Sequence, residues 1–195
     1  VTTRAQRVAP HDVLAAAYRC VALRGVESTT LATVAEEAGI SRATLYRWFP
    51  GGREELLTQV VAWEHQRFFL ALYEAVRNCT TLEEVMVQGL LEAHRAMATH
   101  EVLQMVLAQD PGLLAAALSA QDEPTRAQIA GFLLPYLEAH ELAQGVDPLD
   151  AAAHLARLVL SYLGAPGRWD LSDPGEVAEL VQIEFLAGVV PSSLQ

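Results

Sequence analysis

Apolar residues recur along this chain at intervals of three and four, with no sustained alternation at intervals of two. The first spacing gathers side chains on one face of an α-helix, whereas alternation would line one face of a strand. The period begins with Leu14, Ala17 and Val21, on a helix predicted from about Pro10 to Leu23 with Asp12 in its opening turn. Gly25 stops it, because glycine adopts the left-handed conformation of a helix end without steric cost. Leu31, Val34, Ala35 and Ala38 form the inner face of a short second helix that Thr30 can cap. Gly39 breaks this helix, Ile40 anchors the turn, and Ser41 caps a third helix through Phe49. A hydroxyl at each cap accepts from an otherwise unpaired N–H of the first turn. Pro50-Gly51-Gly52 ends the unit, and a long fourth helix follows from about Arg53 to Arg77.

Thr81-Leu82-Glu83-Glu84 has the form of a capping box and opens a fifth helix reaching about Thr99. Shorter helical pieces pass through Asp110-Pro111 and Asp122-Glu123-Pro124, and a longer one spans about Thr125 to His140. The last two helices each open on an Asp-Pro pair, Asp147-Pro148 and Asp173-Pro174, separated by the breaker Gly164-Ala165-Pro166-Gly167-Arg168. Asn-Gly and Asp-Gly hairpin signals are missing. The fold class expected is all-α.

Composition narrows this. At 195 residues, with 52% hydrophobic and 19% charged, the chain can bury a sizeable core. No run of about twenty apolar residues suggests a membrane span, and Val1 to Arg7 lack the apolar core of a signal peptide. Cys20 and Cys79 sit in separate helical patterns without paired spacing, as expected of a reduced, cytoplasmic protein. The net charge of −11 is unevenly divided: residues 1–53 carry seven arginines against four acids, the rest six arginines against twenty acids. Only the first quarter, at +3, would not be repelled by phosphate.

Enzyme chemistry finds little footing. The chain has no lysine, which removes P-loop and Schiff-base chemistry. Gln104 and Gln144 stand where His100-Glu101 and His140-Glu141 would need a second histidine to complete a zinc-protease motif. Glycine-rich nucleotide loops, Cys-x-x-Cys pairs and a Gly-x-Ser-x-Gly elbow are missing as well. No catalytic group, metal site or cofactor is expected. A small all-α enzyme and a ligand-binding or adaptor protein without DNA binding are the competing classes.

Two short helices joined at Gly39-Ile40 set one helix steeply across the other, the geometry that lays a helix in a major groove. Leu45 and Phe49, four apart, must face inward, leaving Arg42, Ala43, Thr44, Tyr46 and Arg47 on the remaining faces. Arginine, hydroxyl and small methyl groups read bases or grip phosphates, although an exposed helix can carry arginines without doing so.

The segment from Thr30 to Phe49, with its Gly39-Ile40-Ser41, Thr44-Leu45-Tyr46 and Phe49, closely resembles the signature of the TetR family of transcriptional regulators. Glu54-Glu55-Leu56-Leu57 resembles the start of that family's fourth helix. The resemblance covers about residues 10–60; beyond it only length and helix order agree. It implies a DNA-binding domain at 1–55 and a helical effector-binding and dimerisation domain at 56–195. It also implies a homodimer on a palindromic double-stranded DNA operator, repressing until a small molecule releases it. Thr30 matches a phosphate-contacting position, Arg42, Ala43 and Arg47 match base-reading positions, and Thr44 and Tyr46 match positions gripping the backbone. Ala32 stands where the family often has a basic residue. The linker before the fourth helix is one residue longer than usual, and Arg53 is the basic candidate for a phosphate contact there. Arg4 and Arg7 form either an arm reaching an adjacent groove or a solubilising tail.

Two signals concern the rest. On Leu149 to Gly164 the polar residues Asp150, His154, Arg157 and Ser161 make one narrow stripe, and Val177 to Val190 is apolar on every side. A helix apolar nearly all round has neighbours on two sides, here a central core or a second copy of the chain. A seam between subunits would draw on Ala152, Leu155, Val159, Val177, Leu180 and Leu186. Phe68, Phe69, Leu72, Met86, Leu90, Met97, Met105, Phe132 and Tyr136, with His94 as a polar tip, form either core or the lining for a hydrophobic or amphipathic effector.

Overall fold

A computed structural model of the chain describes residues 9–109 and 123–191. All regular elements among the described residues are helical, as the apolar spacing predicts. They are α1 (Pro10–Arg24), α2 (Leu31–Glu37), α3 (Arg42–Trp48), α4 (Gly52–Val76), α5 (Leu82–Thr99), α6 (Glu101–Gln109), α7 (Glu123–Glu138), α8 (Pro148–Gly164) and α9 (Pro174–Leu180). A π-helical turn, Val181–Phe185, continues from α9. The helical piece expected around Asp110-Pro111 and the arginines of the N-terminal arm lie outside the described residues.

The chain divides into two compact units, 1–69 and 70–195. The division falls within α4 and not at residue 55, because Leu56 and Val60 are core residues of the first unit. That core joins Val13, Ala17 and Cys20 of α1, Val34 and Ala35 of α2, Leu45 of α3, and Phe49. Leu14, Tyr18, Leu31, Ala38, Ile40 and Trp48 pack around it. Leu45 and Phe49 are 0% and 2% exposed, so α3 is seated on the core by the pair that its four-residue spacing predicts.

The second unit is built around α5, which packs against α7, α8 and α9. Its buried residues include Val85, Met86, Leu90, Phe132, Leu137, Leu155, Leu160, Leu180 and Phe185. The caps follow the local chemistry. Thr81 Oγ1 accepts from Glu84 N–H at 3.1 Å, and Glu84 Oε2 accepts in return from Thr81 N–H at 3.2 Å. Asp147 Oδ1 accepts from Leu149 and Asp150 N–H, and Asp173 Oδ1 from those of Gly175 and Glu176. In both, proline takes the first helical position, where its missing N–H has no intrahelical use.

The final helix is shorter than its apolar run predicts. After Leu180 the register widens by one residue, with Leu186 N–H donating to Val181 C=O at 2.9 Å. Gly188, at φ +76, ends the run. Val189 C=O then accepts from Ala143 N–H at 2.8 Å, tying the end of the described chain to the segment before α8.

Candidate nucleic-acid interface

The first unit presents a short helix on a rigid seat. α2 begins at Thr30, whose extended backbone lets Oγ1 accept from Thr33 N–H at 3.2 Å. Thr33 Oγ1 returns the interaction, accepting from Thr30 N–H at 3.0 Å. Between α2 and α3, Gly39 turns at φ +65, a conformation that costs an L-residue about 1–2 kcal/mol. Ile40 N–H donates to Ala35 C=O at 3.0 Å and closes the turn. Ser41 Oγ then accepts from Thr44 N–H at 3.1 Å and lies 3.0 Å from Thr44 Oγ1. The turn is therefore closed by its own backbone and caps, and α3 starts in a fixed register.

With Leu45 and Phe49 inward, Arg42, Ala43, Tyr46 and Arg47 are exposed, Tyr46 to 53%. Thr44 is half-buried, its hydroxyl engaged with Ser41. Thr30 is exposed at the front of α2. Arg42 and Arg47 make no ion pair among the described salt bridges, whereas Arg19 Nε donates to Glu37 Oε1 at 2.8 Å and is spent joining α1 to α2. An exposed helix with two guanidinium groups, a phenol and a methyl group, seated on a buried core, can present donors to base edges and phosphates.

Arg53 is placed differently from the other candidates. It is half-buried, and its Nε donates to Thr29 C=O at 2.8 Å and its Nη2 to Val26 C=O at 2.6 Å. Those carbonyls belong to the loop between α1 and α2. The sequence offers Arg53 as a candidate for a phosphate contact, because nothing local reveals a bond across 24 residues. The loop signal was present, however: Gly25 turns at φ +79, and the buried Thr29 donates its Oγ1–H to Gly25 C=O at 2.9 Å.

The ten residues proposed for an effector pocket fall in both units. Phe68 and Phe69, edge-to-face at 5.4 Å, belong to the first. Leu72, Met86, Leu90, His94, Met97, Met105, Phe132 and Tyr136 belong to the second. There Leu72, Met86, Leu90 and Phe132 are buried, while His94, Met97, Met105 and Tyr136 are half-buried. Phe132 packs between Tyr73, at 4.8 Å, and Tyr136, at 5.6 Å. Burial pushes the Tyr136 phenol above its ordinary range. The Asp170 carboxyl is held below its usual range chiefly by the Ser172 hydroxyl, then by the Ser172 N–H.

Of the six residues assigned to an intersubunit seam, Ala152, Leu155, Val177, Leu180 and Leu186 are already buried within one chain, at 4% exposure or less. They form the core of the second unit. Val159 alone is half-buried. Outward apolar groups on the same elements are Leu149, 65% exposed, and Ile183, 50% exposed.

Residues 13–60 match the family model of bacterial regulatory proteins of the tetR family. The chain is 30% identical over 114 residues to the HTH-type transcriptional regulator LmrA of Bacillus subtilis, covering 58% of this chain and 59% of LmrA. It is 27% identical over 153 residues to the nucleoid occlusion factor SlmA of Pasteurella multocida, covering 69% of this chain and 70% of that protein. The chain thus spans less than two thirds of the length of LmrA. The fold matches that of the TetR-family repressor AlkX of Dietzia, with a TM-score of 0.59 at 21% identity, over 97% of this chain and 100% of AlkX.

Proposed function

From the premise that the chain belongs to the TetR family of bacterial regulatory proteins, we propose that it is a homodimeric repressor of a palindromic operator, released by a hydrophobic small molecule. The observation that carries the DNA-binding part is α3 itself. Leu45 and Phe49 fix it to the core, and Arg42, Ala43, Tyr46 and Arg47 are left exposed. Arg42, Ala43 and Arg47 read bases; Thr30, Thr44 and Tyr46 hold the sugar-phosphate backbone. The net charge of the first 53 residues, set against an acidic remainder, supports the same orientation toward DNA.

Two heads must meet successive major grooves about 34–36 Å apart, which requires a dimer. The exposed Leu149 and Ile183 and the half-buried Val159 of the last elements are the candidates for contact with a second copy. The effector reading rests on the second unit's aromatic and methionine content and on its few arginines. An anionic ligand would call for convergent guanidinium groups. For release, the effector must bind the DNA-incompetent state more tightly than the competent one, since affinity alone shifts nothing.

The deciding experiment is a mobility shift with the DNA upstream of the chain's own gene, repeated with long-chain acyl compounds, apolar drugs and small polar metabolites. Sequence-specific retardation relieved by apolar compounds is expected. Absence of any specific retardation overturns the regulator mechanism; relief by a polar metabolite alone overturns the effector class.

A further inference from the structure

We propose that Arg53 is a positioning residue for DNA binding: it braces the α1–α2 loop against the first turn of α4 and so fixes the front of α2, and does not itself bind phosphate. The guanidinium reaches back over 24 and 27 residues to Thr29 C=O, at 2.8 Å, and Val26 C=O, at 2.6 Å. Both distances belong to charge-assisted hydrogen bonds, and the planar fork of arginine serves two acceptors at once. A third carbonyl of the loop, that of Gly25, is taken by Thr29 Oγ1–H at 2.9 Å. Thr29 is therefore held from both sides, its side chain by the loop and its carbonyl by Arg53.

The next residue is Thr30, the cap of α2 and the exposed group at its front. Its place is set by Thr29, so the brace decides where the Thr30 hydroxyl and the first N–H groups of α2 stand relative to α3. The other end of the brace is equally fixed. Gly52 turns at φ +73, Gly51 N–H donates to Glu55 Oε2 at 2.6 Å, and Leu56 of the same turn is 1% exposed. The extra glycine in the linker thus accompanies an arginine that points into the domain, where two of its donors are spent.

The functional arm of this inference rests on the operator-binding reading; the structural arm does not. A phosphate ligand and a brace give opposite results for two substitutions. Arg53→Lys keeps the charge but replaces the fork with a single point donor on a flexible stem. Arg53→Gln removes the charge. Operator affinity would be measured against salt concentration, and amide hydrogen exchange across residues 25–37 would be measured on the full chain without DNA. A brace predicts faster exchange at the Thr29 and Thr30 amides in both variants, by about tenfold or more for Arg53→Gln. It predicts weaker operator binding in both, with the slope of log K against log salt unchanged. A phosphate ligand predicts wild-type exchange, near wild-type binding by Arg53→Lys, and for Arg53→Gln a slope reduced by about 0.9. Either wild-type exchange in both variants or that reduced slope overturns the proposal. If the wild-type chain binds no operator, the exchange result still decides whether the brace exists.

Discussion

Replacing Leu45 with alanine should disable DNA binding without touching any group that meets DNA. Leu45 is 0% exposed and is among the largest fully enclosed side chains described in the first unit, with Phe49, Leu56 and Val13. Leu→Ala substitutions in cores cost about 2–5 kcal/mol, the larger values arising where neighbours cannot collapse into the space. Here the neighbours Val13, Val34 and Leu56 are held on three other helices. The cost therefore belongs in the upper half of that range, about 4 kcal/mol. A unit of this size has roughly 3–9 kcal/mol of stability in all, so between nearly half and all of it would be lost. Affinity then falls in proportion to the fraction of heads with α3 in place. A melting temperature would mix two units and is the wrong assay. Hydrogen exchange resolved to peptides across α3 and α5 separates them, with an operator titration alongside. Loss of protection is expected in α3 and not in α5. Leu45→Met, which conserves volume, should cost less than about 1.5 kcal/mol and retain binding. If Leu45→Ala keeps α3 protected and binds like Leu45→Met, the seat does not position the helix as argued.

Arg47→Ala is expected to weaken specific binding by about 1–3 kcal/mol and to relax the preference at one base pair, read from operator variants in a competition titration. Tyr46→Phe should instead weaken binding to all sequences alike, because a phosphate contact carries no base information. Gly39→Ala meets no atom within 4 Å but must hold φ near +65, so denaturation of the first unit should show a loss of about 1–2 kcal/mol. The Glu84 carboxyl is held below its ordinary 4.5 chiefly by the backbone N–H of Thr80, then that of Thr81. Its contribution to the start of α5 is therefore complete above that value and fades as pH falls through the lowered one; Glu84→Gln should flatten this part of the acid profile of α5 exchange. Val159→Glu should yield folded monomers by sedimentation, whereas Leu180→Glu, at a position wholly inside one chain, should prevent the second unit from folding.

The features legible in the sequence are those decided within a few residues. Thr30, Ser41, Thr81, Asp147 and Asp173 cap helices because their oxygens reach N–H groups two or three residues on, a matter of local chemistry alone. The inward pair of α3 follows from spacing in the same way. Two local signals were overridden by packing. Pro135 stands inside α7, between Leu133 and Leu137, which are 3% and 0% exposed, so burial on both sides carries the helix through a breaker. The widened turn at Val181–Phe185 likewise keeps Val181, Phe185 and Leu186 buried while leaving Ile183 half outside. Arg53 was illegible for the opposite reason: its partners are two backbone carbonyls, which have no sequence signature at all.

The last two helices mark where periodicity stops being informative. An apolar stripe reports that a side chain loses water, because the free energy follows the area removed from solvent. It does not report whether the covering atoms belong to the same chain. Leu155 and Leu180 satisfy that requirement inside one chain, each at 0% exposure, on helices that both pack against α5. Leu149 and Ile183, on the same elements, do not: they remain 65% and 50% exposed. The apolar sequence of these elements is thus two populations superimposed, one already enclosed and one still facing outward. A charge placed in the first should act on folding, and one placed in the second on the proposed association of two copies. The contrast between Leu180→Glu and Ile183→Glu separates the two populations in a way that no count of apolar residues can.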